Sequence, residues 1–208
     1  MTKLKIAFSI GAFFAVSLFG LTDCFAQAAT QKNQVEPSYD VILQTVIGSN
    51  NTGIKTDIPP TLSDLSKKMK ANYSYSNYRL ASTFLQRVAN TGSVDFRGVV
   101  NETSSSPEKS YTSFIEWTLN NLQSLPNAKG QNSVQFQGFR FGQRIPIVSS
   151  TVKDENGKIN SVVTYEQVGL TLQKFSLTEN TPTLVGTLST SKPDELMFLI
   201  LTVRAAEE

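Results

Sequence analysis

The chain has 208 residues, 19 Lys and Arg against 17 Asp and Glu, a single Cys and no His. Without imidazole, Ser-His-Asp and Cys-His relays, histidine bases and the usual zinc sites are excluded, and any reaction would fall to carboxylates, Lys, Tyr or Ser. A net charge of +2 points to neither nucleic acid nor an anionic membrane surface as the main partner.

Lys3 and Lys5 precede an apolar run from Ile6 to Leu21, and Ala26-Gln27-Ala28 places small residues where a signal peptidase reads them. Residues 1–28 are therefore expected to be a removed export signal. The run is shorter than the roughly 20 residues a membrane helix needs, which favours cleavage over an uncleaved anchor. Leu21-Thr22-Asp23-Cys24 loosely matches a lipidation motif, but Asp23 stands where a small residue is wanted, so anchoring through Cys24 ranks below ordinary cleavage. Losing Lys3, Lys5 and Asp23 leaves 17 basic and 16 acidic side chains. Cys24 is lost as well, so the mature chain is expected to lack disulfides and to rely on a core that a chain of this size can bury.

Residues 29–37 (ATQKNQVEP) are polar and aperiodic, as a linker is. In SYDVILQTVIG, Tyr39, Val41, Leu43, Thr45 and Ile47 alternate with Asp40 and Gln44, which predicts a strand with one apolar face. A turn-rich loop from Gly48 to Ile58 leads through Pro59-Pro60 to Thr61-Leu62-Ser63-Asp64, a capping-box pattern. Leu62, Leu65 and Met69 at helical spacing then predict a short helix over Thr61–Ala71 with a lysine-rich outer face. From Tyr73 onward the period changes to two: Tyr78, Leu80, Ser82, Phe84, Gln86 and Val88 share one face of a long strand. Asn90-Thr91-Gly92-Ser93 is read as a hairpin turn into Val94, Phe96 and Val100.

Residues 101–110 (NETSSSPEKS) form a solvated loop, where a sub-boundary would fall. Tyr111–Leu119 alternates with Ile115, Trp117 and Leu119 on one side, a helix through Leu125 being the alternative. Val134–Phe141 switches its apolar face at Gly138, which predicts a β-bulge. Ile145–Thr151 is expected to pair with Val162–Leu172 across a loop containing Asn156-Gly157. Leu184–Thr190 and Leu196–Val203 follow; LMFLILTV is apolar on both faces, which places it centrally in a sheet, and is far too short to cross a membrane as a helix. Residues 38–208 thus read as a single β-rich domain, α+β and mostly β: a strand-helix-strand portion followed by an antiparallel β-meander or sandwich.

Short motifs add little chemistry. Ser-x-x-Lys occurs at Ser106/Lys109, Ser150/Lys153 and Ser189/Lys192, without the companion motifs or the helix start that an activated serine needs. Asn90-Thr91-Gly92-Ser93 looks like an aspartic-protease loop with the acid replaced, and Asn has no proton to exchange. Gly138-Phe139-Arg140-Phe141 echoes an RNA-binding strand but puts Arg140 where a small residue belongs. Tyr73, Tyr75, Tyr78 and Trp117 could make a sugar-stacking platform, although aromatics at strand spacing are more often core. Asp95, Glu102, Glu116 and Glu166 are candidate partners for a carboxylate pair in a hydrolase, which only their spacing in three dimensions decides.

One stretch carries a family resemblance. Phe141-Gly142-Gln143-Arg144-Ile145-Pro146-Ile147-Val148, a variable hairpin, then Val163-Thr164-Tyr165-Glu166-Gln167-Val168-Gly169-Leu170-Thr171-Leu172 resembles the β-domain of secretins, the outer-membrane channels of bacterial secretion and pilus systems. The strand-helix-strand opening from Tyr39 to Val88 is similar to the small ring-building modules that precede such channels. The mature sequence as a whole looks like uncharacterised exported bacterial proteins that share this strand signature without forming a pore. The resemblance implies a periplasmic or extracellular place in the cell envelope, action by protein contact, and a protein partner, possible kinship with secretin-type assemblies included. The expectation is a non-enzymatic protein with no catalytic, cofactor or metal residues, no nucleic acid, and no transmembrane helix in the mature chain. A carbohydrate-binding β-sandwich module is the alternative, and a carboxylate-based hydrolase the third reading.

Overall fold

The computed structural model describes residues 36–51, 57–101, 112–126, 132–190 and 192–207. The expected export signal, Cys24 and the loop bearing Glu102, Ser106 and Lys109 lie outside them. The described residues form β1 (Ser38–Ser49), α1 (Ser63–Asn72), β2 (Asn77–Ala89), β3 (Val94–Asn101), β4 (Thr112–Asn120), β5 (Gln123–Pro126), β6 (Asn132–Lys153), β7 (Ile159–Thr178), β8 (Thr183–Ser189) and β9 (Glu195–Ala205). This is the expected mostly-β class, built as a sandwich. One sheet has the order β2-β1-β9-β8. In the other, β3 pairs β4, β4 and β5 share one side of β6, and β7 takes the opposite side. All of these ladders are antiparallel.

The core lies between the sheets: Val41, Leu43, Leu199, Leu201 and Val203 from the first meet Trp117, Leu119, Phe139 and Phe141 from the second. A second cluster occupies the other face of the first sheet, where Leu62 and Met69 from the helical segment pack on Val46, Tyr78, Phe198 and Ile200. β9 is therefore buried on both faces, which is why LMFLILTV has no polar alternation. β1 was expected to have one wet face and does not: Asp40 and Gln44 are buried too, and Val46 on the same side is covered by Leu62 and Met69.

Two local expectations give way to geometry. β2 does not keep one face, since its register against β1 shifts at Thr45/Val46, pairing Ser82 with Thr45 but Leu80 with Val46. The extra residue, Ala81, turns Tyr78 and Leu80 toward the helix while Phe84 and Val88 pack into the sandwich. The capping box does not form either. Pro60 starts a 3-10 turn over Pro60–Leu62, which takes Thr61 out of the cap position, and Asp64 instead meets Lys67 at 3.2 Å.

Asn90–Ser93 is a turn, but a corner between sheets rather than a hairpin within one. Thr91 sits at φ 62°, its N–H donates to the Leu122 carbonyl at 2.6 Å, and the Leu122 N–H donates to Gly92 at 3.0 Å. The face switch near Gly138 is present without the predicted bulge: Val134 and Phe136 are buried on one side of it, Phe139 and Phe141 at the opposite parity on the other, and the register against β7 does not shift there. Across the ladder there, Lys174 sits at φ 51° between the pairs Phe136–Phe175 and Gly138–Gln173. β4 is a strand throughout, without the alternative helix.

Asp40 lies opposite Arg87 on β2 and Arg204 on β9, and both guanidiniums reach it, at 2.9 and 3.4 Å. The Arg87 hydrogen bond holds its carboxyl below the usual carboxylate range, against the opposing effect of burial. A lowered folded-state pKa means the unfolded chain takes up the proton first. The triad's support is thus complete above about pH 4, the ordinary Asp value, and fades as pH falls toward the folded value. Asp40→Asn should therefore flatten the acid limb of a urea-midpoint profile taken from about pH 5 to 2; a parallel profile would show that the triad contributes no pH dependence.

Candidate functional site

β6 and β7 run past the sandwich. The ladder between β4 and β6 ends at Phe114–Arg144, and from Ile145 to Lys153 β6 pairs with β7 alone. The predicted pairing of the two strands is found, with Ile145–Thr151 against Ser161–Glu166 and a register shift at Val148/Ser150, while Gln167–Leu172 lie further back along β6. The connecting turn is closed by Asp154, whose Oδ1 accepts the N–H groups of Asn156 and Lys158 at 3.0 and 2.8 Å, with Gly157 at φ 77°. A two-stranded ribbon is marginal in water by itself. This one nevertheless exposes Val148, Val152, Ile159, Val162 and Tyr165. Register places Val148, Tyr165 and Ile159 on one face and Val152 and Val162 on the other. Among the described residues, no strand pairs with β6 beyond Arg144 on its second side, and none pairs with the outer side of β7.

At the base of the ribbon the second sheet's outer face is polar and pitted. Successive cross-strand rows read Asp95, Thr118, Arg140, Thr171; then Arg97, Glu116, Gly142, Gly169; then Val99, Phe114, Arg144, Gln167. Gly142 and Gly169 face each other with no side chain between, and a Cβ on Gly169 would collide with the Phe141 carbonyl. At Gly142 opens a cavity of about 410 Å³ whose walls include Arg97, Val99, Phe114, Glu116, Arg144 and Gln167. Gln167 Nε2 donates to Glu116 Oε1 at 3.3 Å, and Arg140 stands 3.9 Å from the same carboxylate. Phe114 and Tyr165 meet edge-on at 5.8 Å, both about half exposed.

Several sequence candidates are placed differently from what their chemistry would require. Trp117 and Tyr78 are fully buried, and Tyr73 and Tyr75 pack on Phe198, so the proposed stacking platform is core. Phe139 and Phe141 of the RNA-binding look-alike are also buried. Asp95 and Glu116 share the outer face as diagonal neighbours on β3 and β4, each with an arginine at 3.9 Å, and only Glu116 lines the cavity. Glu166 lies opposite Ile145, on the other face from Glu116. Ser150 and Lys153 have opposite parity on β6, and Lys192 is held by Glu195 at 3.4 Å. No group of three or more potential metal-ligating side chains occurs among the described residues. Sequence reasoning missed Phe114, Arg144 and Gln167. The signal was there for Phe114: once Ile115, Trp117 and Leu119 are assigned inward, it must point out.

No protein-family model matches the chain, and no curated protein matches it. Among solved structures the chain is similar to the secretin-domain β-barrel of InvG from the Salmonella SPI-1 injectisome NC-base, with TM-score 0.32 and 9% identity. That match covers 83% of this chain and 64% of the InvG chain. It is likewise similar to the Salmonella SPI-1 type III secretion injectisome secretin InvG determined by cryo-EM, with TM-score 0.32 and 10% identity over 83% of this chain and 66% of that one. The chain thus spans a little under two thirds of the first of these. Among the described residues, no helix is long and apolar enough to cross a membrane.

Removing a core ring and removing a surface ring should separate cleanly. Trp117→Ala is expected to cost about 3–5 kcal/mol in a urea titration, whereas Tyr165→Ala should change stability by no more than about 0.5 kcal/mol. Equal losses would mean that Tyr165 is structural.

Proposed function

We propose that this chain is an exported, non-enzymatic component of the bacterial cell envelope that works by protein contact and joins further copies of itself edge to edge, in an assembly related to those of secretins. The observation that carries this reading is the β6–β7 ribbon, which has exposed apolar side chains on both faces and is open on both sides among the described residues. Unpaired strands with apolar side chains are templates for strand addition, and monomeric proteins guard against them with charge, proline or bulges. Pro146 and the Val148/Ser150 irregularity interrupt this edge only locally.

The two open sides are complementary. β6 and β7 are antiparallel, so a rotated copy can lay the free side of its β7 along the free side of β6 with antiparallel polarity and no change in fold. Such a head-to-tail contact uses two different surfaces and closes into a ring if the rotation allows. The same strands, Phe141–Val148 and Val163–Leu172, carry the secretin-like sequence signature. Export is supported by the sequence of residues 1–28, and the absence of His and mature-chain Cys narrows the room for enzyme chemistry.

Size-exclusion chromatography with light scattering tests this. The chain without residues 1–28 should elute as an oligomer, and Val148→Glu with Ile159→Glu should convert it to a folded monomer. A strict monomer at tens of micromolar that also retrieves no partner from envelope extracts would overturn the reading.

A further inference from the structure

We propose that the pitted outer face of the second sheet is a binding site for a carboxylate attached to an aromatic or branched apolar group, the chemistry of a peptide chain ending in such a residue or of a small free acid. The inference stands on the cavity and its charges and is independent of edge-to-edge assembly.

The face has more cations than its own carboxylates absorb. Arg97, Arg140 and Arg144 share it with Asp95 and Glu116. Asp95 stands 3.9 Å from Arg97, and Glu116 stands 3.9 Å from Arg140 while also accepting the Gln167 amide. Arg144 has no carboxylate within ion-pair distance among the described residues. A guanidinium presents a planar fork of donors that matches a carboxylate in two parallel hydrogen bonds.

What stands beside that fork sets the ligand's other half. In register, Arg144 is the neighbour of Phe114, and Phe114 of Val99, so the cation abuts an apolar wall whose two side chains are 46% and 64% exposed. Gly142 puts no side chain into the cavity, and Glu116 and Gln167 close over it, each 3.2 Å from where a Cβ would stand, so the base of the cavity is polar. The cavity's 410 Å³ falls at the lower end of small-molecule sites, enough for one ring and a carboxylate. Glu116 at the centre of the face selects against polyanions, because a second negative charge would meet its carboxylate. A single carboxylate on Arg144, with the apolar body against Phe114 and Val99, satisfies the cation and covers the wall.

Isothermal titration calorimetry of the full-length chain tests this with three probes: N-acetyl-L-phenylalanine, its uncharged amide, and a hexapeptide ending in phenylalanine with a free carboxylate. The acid should bind, the amide should bind at least tenfold more weakly, and Arg144→Gln should reduce acid binding at least tenfold with an unchanged melting midpoint. Phe114→Ala, a second and electrically neutral variant, should weaken the acid while leaving the residual amide signal near its floor. Tighter binding of the hexapeptide than of the free acid assigns the site to chain termini; the reverse assigns it to small acids. No binding of either carboxylate, amide binding equal to that of the acid, or full acid binding by folded Arg144→Gln would overturn the proposal.

Discussion

The structure depends on one pairing, β1 against β9. It joins strands from the two ends of the described chain over eleven residue pairs, from Tyr39–Ala205 to Ser49–Glu195. Both strands are buried on both faces, so the ladder is shielded from water along its length and feeds the sandwich core and the helix-side cluster at once. Such contacts between distant segments are costly to close, and the buried apolar surface on both sides offsets that cost. Asp40 fits the same logic: a buried carboxylate on β1 is flanked by Arg87 of β2 and Arg204 of β9.

The second sheet is finished differently. Its inward residues, Trp117, Phe139 and Phe141, are core, while its outward residues and the extended ribbon are left without a cover. The first sheet has α1 over its outer face; among the described residues the second sheet has nothing equivalent. The division of labour follows: one sheet holds the fold together, the other presents surface. The cavity by Arg144 and the open ribbon are neighbours on that presented surface, since Tyr165 is in contact with Phe114 at the cavity's edge.

Much of this was legible in the residues. The inward parity of β4, the burial of β9 on both faces and the β6–β7 hairpin follow from periodicity and from Asn156-Gly157. Periodicity failed where a single residue changed the parity: Ala81 in the β1–β2 bulge reverses which side of β2 Tyr78 and Leu80 occupy, and no residue near it announces the shift. The corner at Asn90–Ser93 has hairpin composition, and only its hydrogen bonds to Leu122 take β3 into the other sheet. The candidate site was invisible for a related reason. Arg97, Phe114, Arg144 and Gln167 lie on four strands, and each is an ordinary outward residue until the registers align them.

The central claim is that the exposed β6–β7 ribbon is an assembly edge. Hydrogen exchange of the amides from Ile145 to Lys153, followed as protein concentration is raised, tests it most directly. In an assembly edge, those of these amides that face away from β7 gain protection with concentration, while those of β1 and β9 stay equally slow throughout. Rapid exchange from Ile145 to Lys153 that is indifferent to concentration would show that the ribbon is simply a solvated arm.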